Sequence, residues 1–127
     1  RQAIWLNYSK KFEILGCFND LNSYDIKKKG GKKGLKLFKD EITFWNNNSI
    51  NIQKSICHYK FNNDINVRNT LINTNNSILV HPAFRCSNQK MKDKIWEGRI
   101  VIIEGKTIIL GKNMLGQIWM EIRNKYT

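Results

Sequence analysis

The chain has 127 residues, with 22 Lys and Arg against 10 Asp and Glu, a formal charge of +12 and a pI near 9.8. This length suits one domain with a modest core. The charge favours a polyanionic partner, nucleic acid before an acidic membrane surface, over an ordinary solvated basic surface. No apolar run is long enough for a transmembrane helix, and no apolar h-region of a secretory signal is recognised. Three widely spaced cysteines, Cys17, Cys57 and Cys86, are no disulfide framework and suit a reducing compartment.

The first predicted element is a helix over residues 9–24. Ser9 is a suitable N-cap residue, and apolar side chains then recur at helical spacing at Phe12, Leu15, Phe18 and Leu21. The pattern predicts one apolar stripe, which is typical of a helix that packs against a sheet.

A basic loop is predicted over residues 25–34. It combines three glycines with five lysines and therefore favours neither helix nor strand; the lysines are Lys27, Lys28, Lys29, Lys32 and Lys33. Such a loop suits contacts with nucleic-acid phosphates, because each neutralised phosphate releases a counterion. A solvated loop or a targeting patch is the alternative. The spacing of a phosphate-binding P-loop is absent.

The middle of the chain gives weaker signals. Residues 51–94 are too many for an ordinary connection and should hold structure of their own. Cys57, Tyr59 and Phe61 alternate with polar residues, and residues 77–80 form another β-like run. We therefore expect one or two added strands with loops in this segment.

The last third contains the clearest element, a β-hairpin. Two β-branched runs, Arg99–Ile103 and Lys106–Leu110, are separated only by Glu104-Gly105. Two runs across a two-residue turn that contains Gly are typical of a hairpin, because Gly accepts the positive φ of a tight turn.

A segment over residues 112–125 follows the hairpin and is expected to form the main partner-facing surface. Asn113-Met114-Leu115-Gly116 is short and bounded by Gly, which predicts an accessible backbone. Leu115, Ile118, Trp119 and Ile122 should anchor the segment on the sheet, with Asn113, Gln117 and Arg123 pointing outward. Glu121, the acid of this segment, should orient one of its basic side chains.

The hairpin and the following block together resemble the ribosomal small-subunit protein S-nineteen family. Asn113, Met114, Gly116 and Glu121 are identical to that family's residues at the same spacing, and Arg1, Ile4 and Trp5 match the arm of its organellar members. The chain departs from the family pattern at three positions, where Gln117 replaces His, Ile118 replaces Lys and Met120 replaces Gly. The second strand is also about three residues short by comparison.

The resemblance extends weakly into the middle of the chain. Trp45, Ser49 and Ile50 fit a family block in which Asn47 and Asn48 stand where the family has two arginines. Residues 68–72 and 75–79 offer competing registers for this block. Residues 51–94 have no counterpart in compact members and are expected to be a peripheral insertion that contacts neighbouring proteins or organelle-specific rRNA.

The resemblance implies a single α+β domain over residues 1–127: an N-terminal helix packed on a small, mainly antiparallel sheet with a C-terminal β-hairpin, plus the insertion. It implies a structural, non-catalytic protein of the small-subunit head that binds rRNA, lies beside ribosomal protein S-thirteen and is near a bridge to the large subunit. No cofactor, metal or membrane partner is expected. The residues expected to contact rRNA are Lys27, Lys28, Lys29, Lys32, Lys33, Asn47, Asn48, Arg99, Lys106, Lys112, Asn113, Gly116, Gln117, Arg123 and Lys125.

Frequent Lys, Asn and Ile indicate an AT-rich gene, which favours a mitochondrial ribosome, with another organellar or a bacterial ribosome as the alternative. Two other functions stay open. One is a small basic nuclease with His58 or His81 as general base near Asp64 or Asp93, and the other is a stand-alone RNA-binding module. A zinc site built from Cys57, His58, His81 and Cys86 lacks the close-paired ligand spacing of known sites.

Overall fold

The computed structural model describes residues 24–25 and 38–126. Its elements in chain order are α1 (Lys39–Asn63), α2 (Ile65–Asn73), α3 (Asn88–Met91), β1 (Arg99–Ile103), β2 (Lys106–Leu110) and α4 (Met114–Lys125). Helices with a small antiparallel sheet make this an α+β fold, as predicted. Of the predicted helix over residues 9–24, only Tyr24 is described, and it is helical. None of the described helices is long and apolar enough to cross a membrane.

The chain divides into two compact units, Arg1–Ile52 and Gln53–Thr127. The first unit contains the start of α1. There the Glu41 carboxylate accepts a hydrogen bond from the backbone N–H of Phe38 at 2.9 Å, which satisfies a donor that the helix leaves open. Asp40 and Glu41 also place negative charge at the positive end of the helix dipole.

Two polar side chains stabilise the helix ends at the break between α1 and α2. Asp64 caps α2, since its carboxylate accepts from the backbone N–H groups of Asn66 at 2.9 Å and Val67 at 3.3 Å. The Arg68 guanidinium reaches back to the carbonyl oxygens of Phe61 and Asn62, at 3.2 and 3.0 Å, and so closes the end of α1.

The expected strands within residues 51–94 are wrong, because this segment is mainly helical and loop. Cys57 and Phe61 lie one helical turn apart and both are buried, whereas Tyr59 between them is exposed. A strand would have put all three on one face. The apparent alternation was therefore a short stretch of helical spacing.

The core of the second unit lies between helices. It consists of Cys57 and Phe61 from α1, Leu71 from α2, and Ile118 and Ile122 from α4. Burying one such large apolar side chain contributes about 1.5–3 kcal/mol. Residues 53–73 thus build the core and are not the peripheral insertion that we expected, and α4 packs on helices where a sheet was predicted.

The predicted hairpin is confirmed. β1 and β2 pair antiparallel, with Ile103 opposite Lys106, so that Glu104 and Gly105 form a two-residue turn. Both turn residues have positive φ, 51° and 76°, which is the requirement of the tight turn that matches strand twist. No strand residue belongs to the core cluster described above, and five strand isoleucines are exposed: Ile100, Ile102, Ile103, Ile108 and Ile109.

We expect the Phe61→Ala variant to lower the free energy of unfolding by about 3–5 kcal/mol, because it removes a buried ring and leaves a cavity. Phe61 is buried, and the centroid of its ring lies 4.8 Å from the centroid of the Tyr126 ring. Urea unfolding followed by circular dichroism measures the change. Tyr59→Ala, on the exposed face of the same helix, is the matched control and should cost far less. Equal losses in the two variants would contradict this core.

Candidate nucleic-acid interface

The start of α4 is held by the loop that precedes the hairpin. Four consecutive backbone N–H groups, those of residues 112–115, donate to the carbonyl oxygens of residues 94–97 at 2.9–3.3 Å. These include donors that the first turn of a helix leaves open. The prediction of an accessible backbone over residues 113–116 is therefore wrong, because the amides of Asn113, Met114 and Leu115 already have partners inside the fold.

The Asn113 side chain extends this connection to a second loop. Its Oδ1 accepts from the backbone N–H of His81 at 3.0 Å, and its Nδ2 donates to the carbonyl oxygen of Leu79 at 2.8 Å. Asn113 is 1% exposed and has a left-handed backbone, with φ of 48°. The expected outward orientation is wrong, since the amide group holds residues 79–81 against the start of α4.

Two glycines make room for the Asn113 side chain. A Cβ added at Gly98 would lie 2.6 Å from the Cβ of Asn113. A Cβ at Gly116 would lie 2.5 Å from Nδ2 of Asn113 and collide with the carbonyl oxygen of Leu79. Gly116 is buried, so its lack of a side chain serves the packing of this chain on itself.

Arg123 fastens the other end of α4. It is 3% exposed, and its Nη1 donates to Thr74 Oγ1 at 2.8 Å and to the carbonyl oxygen of Ser77 at 2.9 Å. The prediction that Arg123 points outward is wrong, because the turn after α2 needs these donors. Glu121 forms an exposed pair with Lys54 at 3.7 Å, where a basic residue of its own segment was expected.

Arg99 also has partners inside the fold. From β1 its Nη2 donates to the carbonyl oxygen of Ala83 at 3.0 Å and its Nη1 to Asn88 Oδ1 at 2.9 Å. One guanidinium thus holds both ends of the loop over residues 83–88. Arg99 was expected to contact rRNA, and the structure gives it this positioning role.

Four exposed lysines form the strongest candidate interface, which we call the basic surface: Lys90, Lys92, Lys94 and Lys112. Lys90 belongs to α3, and Lys92 and Lys94 lie in the turn after it. The backbone hydrogen bond from Lys112 N–H to the carbonyl oxygen of Lys94, at 2.9 Å, places Lys112 next to Lys94. In the part of the chain that the structure describes, no ion pair involves these four ammonium groups.

Sequence reasoning found only Lys112 of this group. The available signal was the alternation Lys90-Met91-Lys92-Asp93-Lys94, in which Met91 is the buried member. Ser87 starts the short helix by accepting from the backbone N–H of Lys90 at 3.2 Å. Met91 is buried, and the lysines on either side of it, Lys90 and Lys92, are exposed.

The other predicted contact residues are distributed over the molecule. Lys106, Gln117 and Lys125 are exposed, and the Gln117 amide donates to the carbonyl oxygen of Lys112 at 2.6 Å. Asn47 is exposed in the first unit, whereas Asn48 is half-buried and donates to the carbonyl oxygen of Phe44. The five lysines of residues 27–33 lie outside the described residues.

Neither the titratable side chains nor the apolar groove supplies a second candidate site. Among the described residues, no three His, Cys, Asp or Glu side chains lie close enough together to hold a metal ion. Burial raises the pKa of the Cys57 thiol, partly offset by its hydrogen bond with Gln53. An open groove of about 410 Å³ has Val67, Leu79 and Trp119 in its walls. Its apolar lining does not suit phosphate.

No protein-family model, curated protein or solved structure matches this chain.

We expect Asn113→Ala to lower the free energy of unfolding by about 1–3 kcal/mol for the hydrogen bonds lost, and by about 1–2 kcal/mol more for left-handed backbone at a residue other than Gly or Asn. Thermal or urea unfolding measures this change. Asn124→Ala, at an exposed position of the same helix, is the control and should stay within about 0.5 kcal/mol of the parent. If the two variants are equally stable, the Asn113 amide does not hold the two loops together.

Proposed function

We propose that this chain is a structural constituent of a small ribosomal subunit, similar to the S-nineteen family, that binds rRNA and supports translation without catalysing a reaction. The observation that carries the proposal is the basic surface, whose four lysines are all exposed, three of them within residues 90–94 and the fourth bonded through its backbone to Lys94. Flexible ammonium groups bind the phosphate backbone as point charges, and they need no particular base sequence. This chemistry suits a protein that pins a folded RNA.

The charge balance of the second unit supports the same proposal. Its sequence, Gln53–Thr127, has twelve Lys and Arg against five Asp and Glu, a formal charge of +7. Arg99 and Arg123 are engaged inside the fold, so the free positive charge at its surface comes mainly from lysine. A surface of this kind gains affinity from counterion release and loses it as salt rises.

The residues shared with the S-nineteen family support the proposal through the way this segment is built. Asn113 and Gly116, two of the four identities, meet at the start of α4, where the amide of one fills the space left open by the other. In this chain these two identities therefore serve the packing of the chain on itself. The expected RNA contacts of Asn113, Gly116 and Arg123 are not part of the proposal.

Neighbouring proteins are proposed to cover the hairpin. Its five isoleucines are exposed, with Ile102 75% exposed, and an exposed apolar patch on a protein surface marks an interaction site. The family resemblance points to ribosomal protein S-thirteen and to a bridge with the large subunit. The AT-rich coding bias points to a mitochondrial ribosome, and hence to the mitochondrial matrix.

Sedimentation of the tagged full chain from its own cells tests this proposal. We expect the chain to migrate with the small subunit after a moderate salt wash and to migrate with the whole ribosome when magnesium keeps the subunits joined. The same fractions from cells that express the tag alone are the control. Recovery of the chain only in the soluble fractions would contradict a ribosomal role.

We expect Lys94→Gln combined with Lys112→Gln to weaken RNA binding and to flatten its salt dependence. Each lost phosphate contact lowers the slope of log K against log salt by about 0.7–0.9, so two contacts remove about 1.4–1.8. Filter binding to rRNA at several salt concentrations measures the slope. Lys39→Gln with Lys60→Gln removes the same charge from exposed helix positions and is the control. Equal slopes in the two double variants would show that the basic surface does not touch phosphate.

A further inference from the structure

One loop beside the basic surface presents an aromatic ring to solvent. Phe84 is 85% exposed, which is the highest exposed fraction of any large apolar side chain among the described residues. A single exposed apolar residue is common on a protein surface and by itself indicates nothing. Phe84 differs from such a residue because hydrogen bonds hold the loop that carries it.

The loop is fixed at both ends. Arg99 bonds Ala83 on one side of Phe84 and Asn88 on the other, at 3.0 and 2.9 Å. Before the loop, the backbone of His81 is held twice: its N–H donates to Asn113 Oδ1 at 3.0 Å and its carbonyl oxygen accepts from Gly98 N–H at 2.9 Å. Phe84 therefore projects from a supported turn.

The turn itself directs Phe84 and Arg85 outward. Arg85 has φ of 57°, in the left-handed region that costs a residue with a Cβ about 1–2 kcal/mol. Both side chains are exposed, and Ser87 then starts the helix that carries Lys90. An exposed ring, an adjacent guanidinium and an ammonium group thus occur within seven residues, 84–90.

We propose that Phe84 is a base-stacking residue, and that the RNA at the basic surface includes an unpaired nucleotide whose base lies on this ring. A base in a duplex is already stacked, whereas a base in a loop or bulge offers a free face to an aromatic side chain. Arg85 and Lys90 then neutralise the flanking phosphates. This inference rests on the proposed function, and it adds the class of RNA to it.

The charge of the surroundings selects this partner over an apolar protein surface. Arg85, Lys90, Lys92 and Lys94 follow the ring within ten residues, against one acid, Asp93. A protein partner that buried Phe84 would have to desolvate or pair these charges. An RNA strand supplies both the flat apolar face and the phosphates.

The inference is tested by measuring binding to two RNA hairpins that have equal numbers of phosphates and the same closing linker. One hairpin has an unpaired bulge in its stem, and the stem of the other is fully paired. The variants are Phe84→Ala, Phe84→Leu, which keeps apolar bulk without a ring, and Phe84→Trp, which keeps a ring. We expect the Ala and Leu variants to lose affinity for the bulged RNA by about 5- to 150-fold, with unchanged affinity for the paired RNA and an unchanged salt slope. The Trp variant should bind as the parent does.

Tyr59→Ala removes another exposed aromatic ring, 69% exposed on α1, and should leave both affinities unchanged. Circular dichroism confirms that the variants are folded. Parental binding of the bulged RNA by Phe84→Leu would overturn the inference, as would an equal loss for both RNAs. The inference would also be overturned if Phe84→Ala bound RNA normally but failed to enter the ribosomal particle, because the ring would then contact a protein. Absence of salt-dependent RNA binding in the parent chain would instead contradict the proposed function.

Discussion

The second unit depends on the side chain of Asn113, which connects three parts of the chain that are distant in sequence. Its amide pairs with the backbone at Leu79 and His81, and its own backbone joins α4 to the loop before the hairpin. Gly98 and Gly116 are glycines because any larger residue would displace this side chain. These contacts hold the start of α4 against residues 79–81 and against the loop before the hairpin, whereas Arg99 holds the loop over residues 83–88.

This constraint explains why Asn113, Gly116 and Arg123, which were expected to contact RNA, are buried. Polar groups such as Asn113 and Arg123 are buried because each satisfies loop backbone groups that would otherwise lose their hydrogen bonds. With Arg99 and Arg123 so engaged, the positive charge proposed to meet RNA comes from the exposed Arg85 and from the lysines around Met91. The scaffold and the proposed interface thus use different basic side chains.

The parts of the fold that were predictable from sequence are those determined locally. The hairpin followed from two β-branched runs and one Gly. Ile118 and Ile122 were expected as anchoring residues and are buried, but the helix that carries them was not predicted, and they pack on helices where a sheet was expected. Helix α1 was missed because its Asn-rich sequence has weak helical propensity, and its stability comes from packing Cys57 and Phe61 against α4. The buried roles of Asn113 and Arg123 were missed because they depend on residues 79–81 and on Thr74, which no local pattern brings near.

We propose that RNA binds this protein at the lysines around Met91 and not along α4. Ultraviolet crosslinking in cells, followed by mass spectrometry of the crosslinked peptides of the purified tagged chain, tests this proposal. We expect RNA attached within residues 84–94 and at Lys112, with no crosslink at Arg123 itself because that side chain is buried. Crosslinks concentrated at Arg123 and its neighbours on α4, with none within residues 84–94, would contradict it.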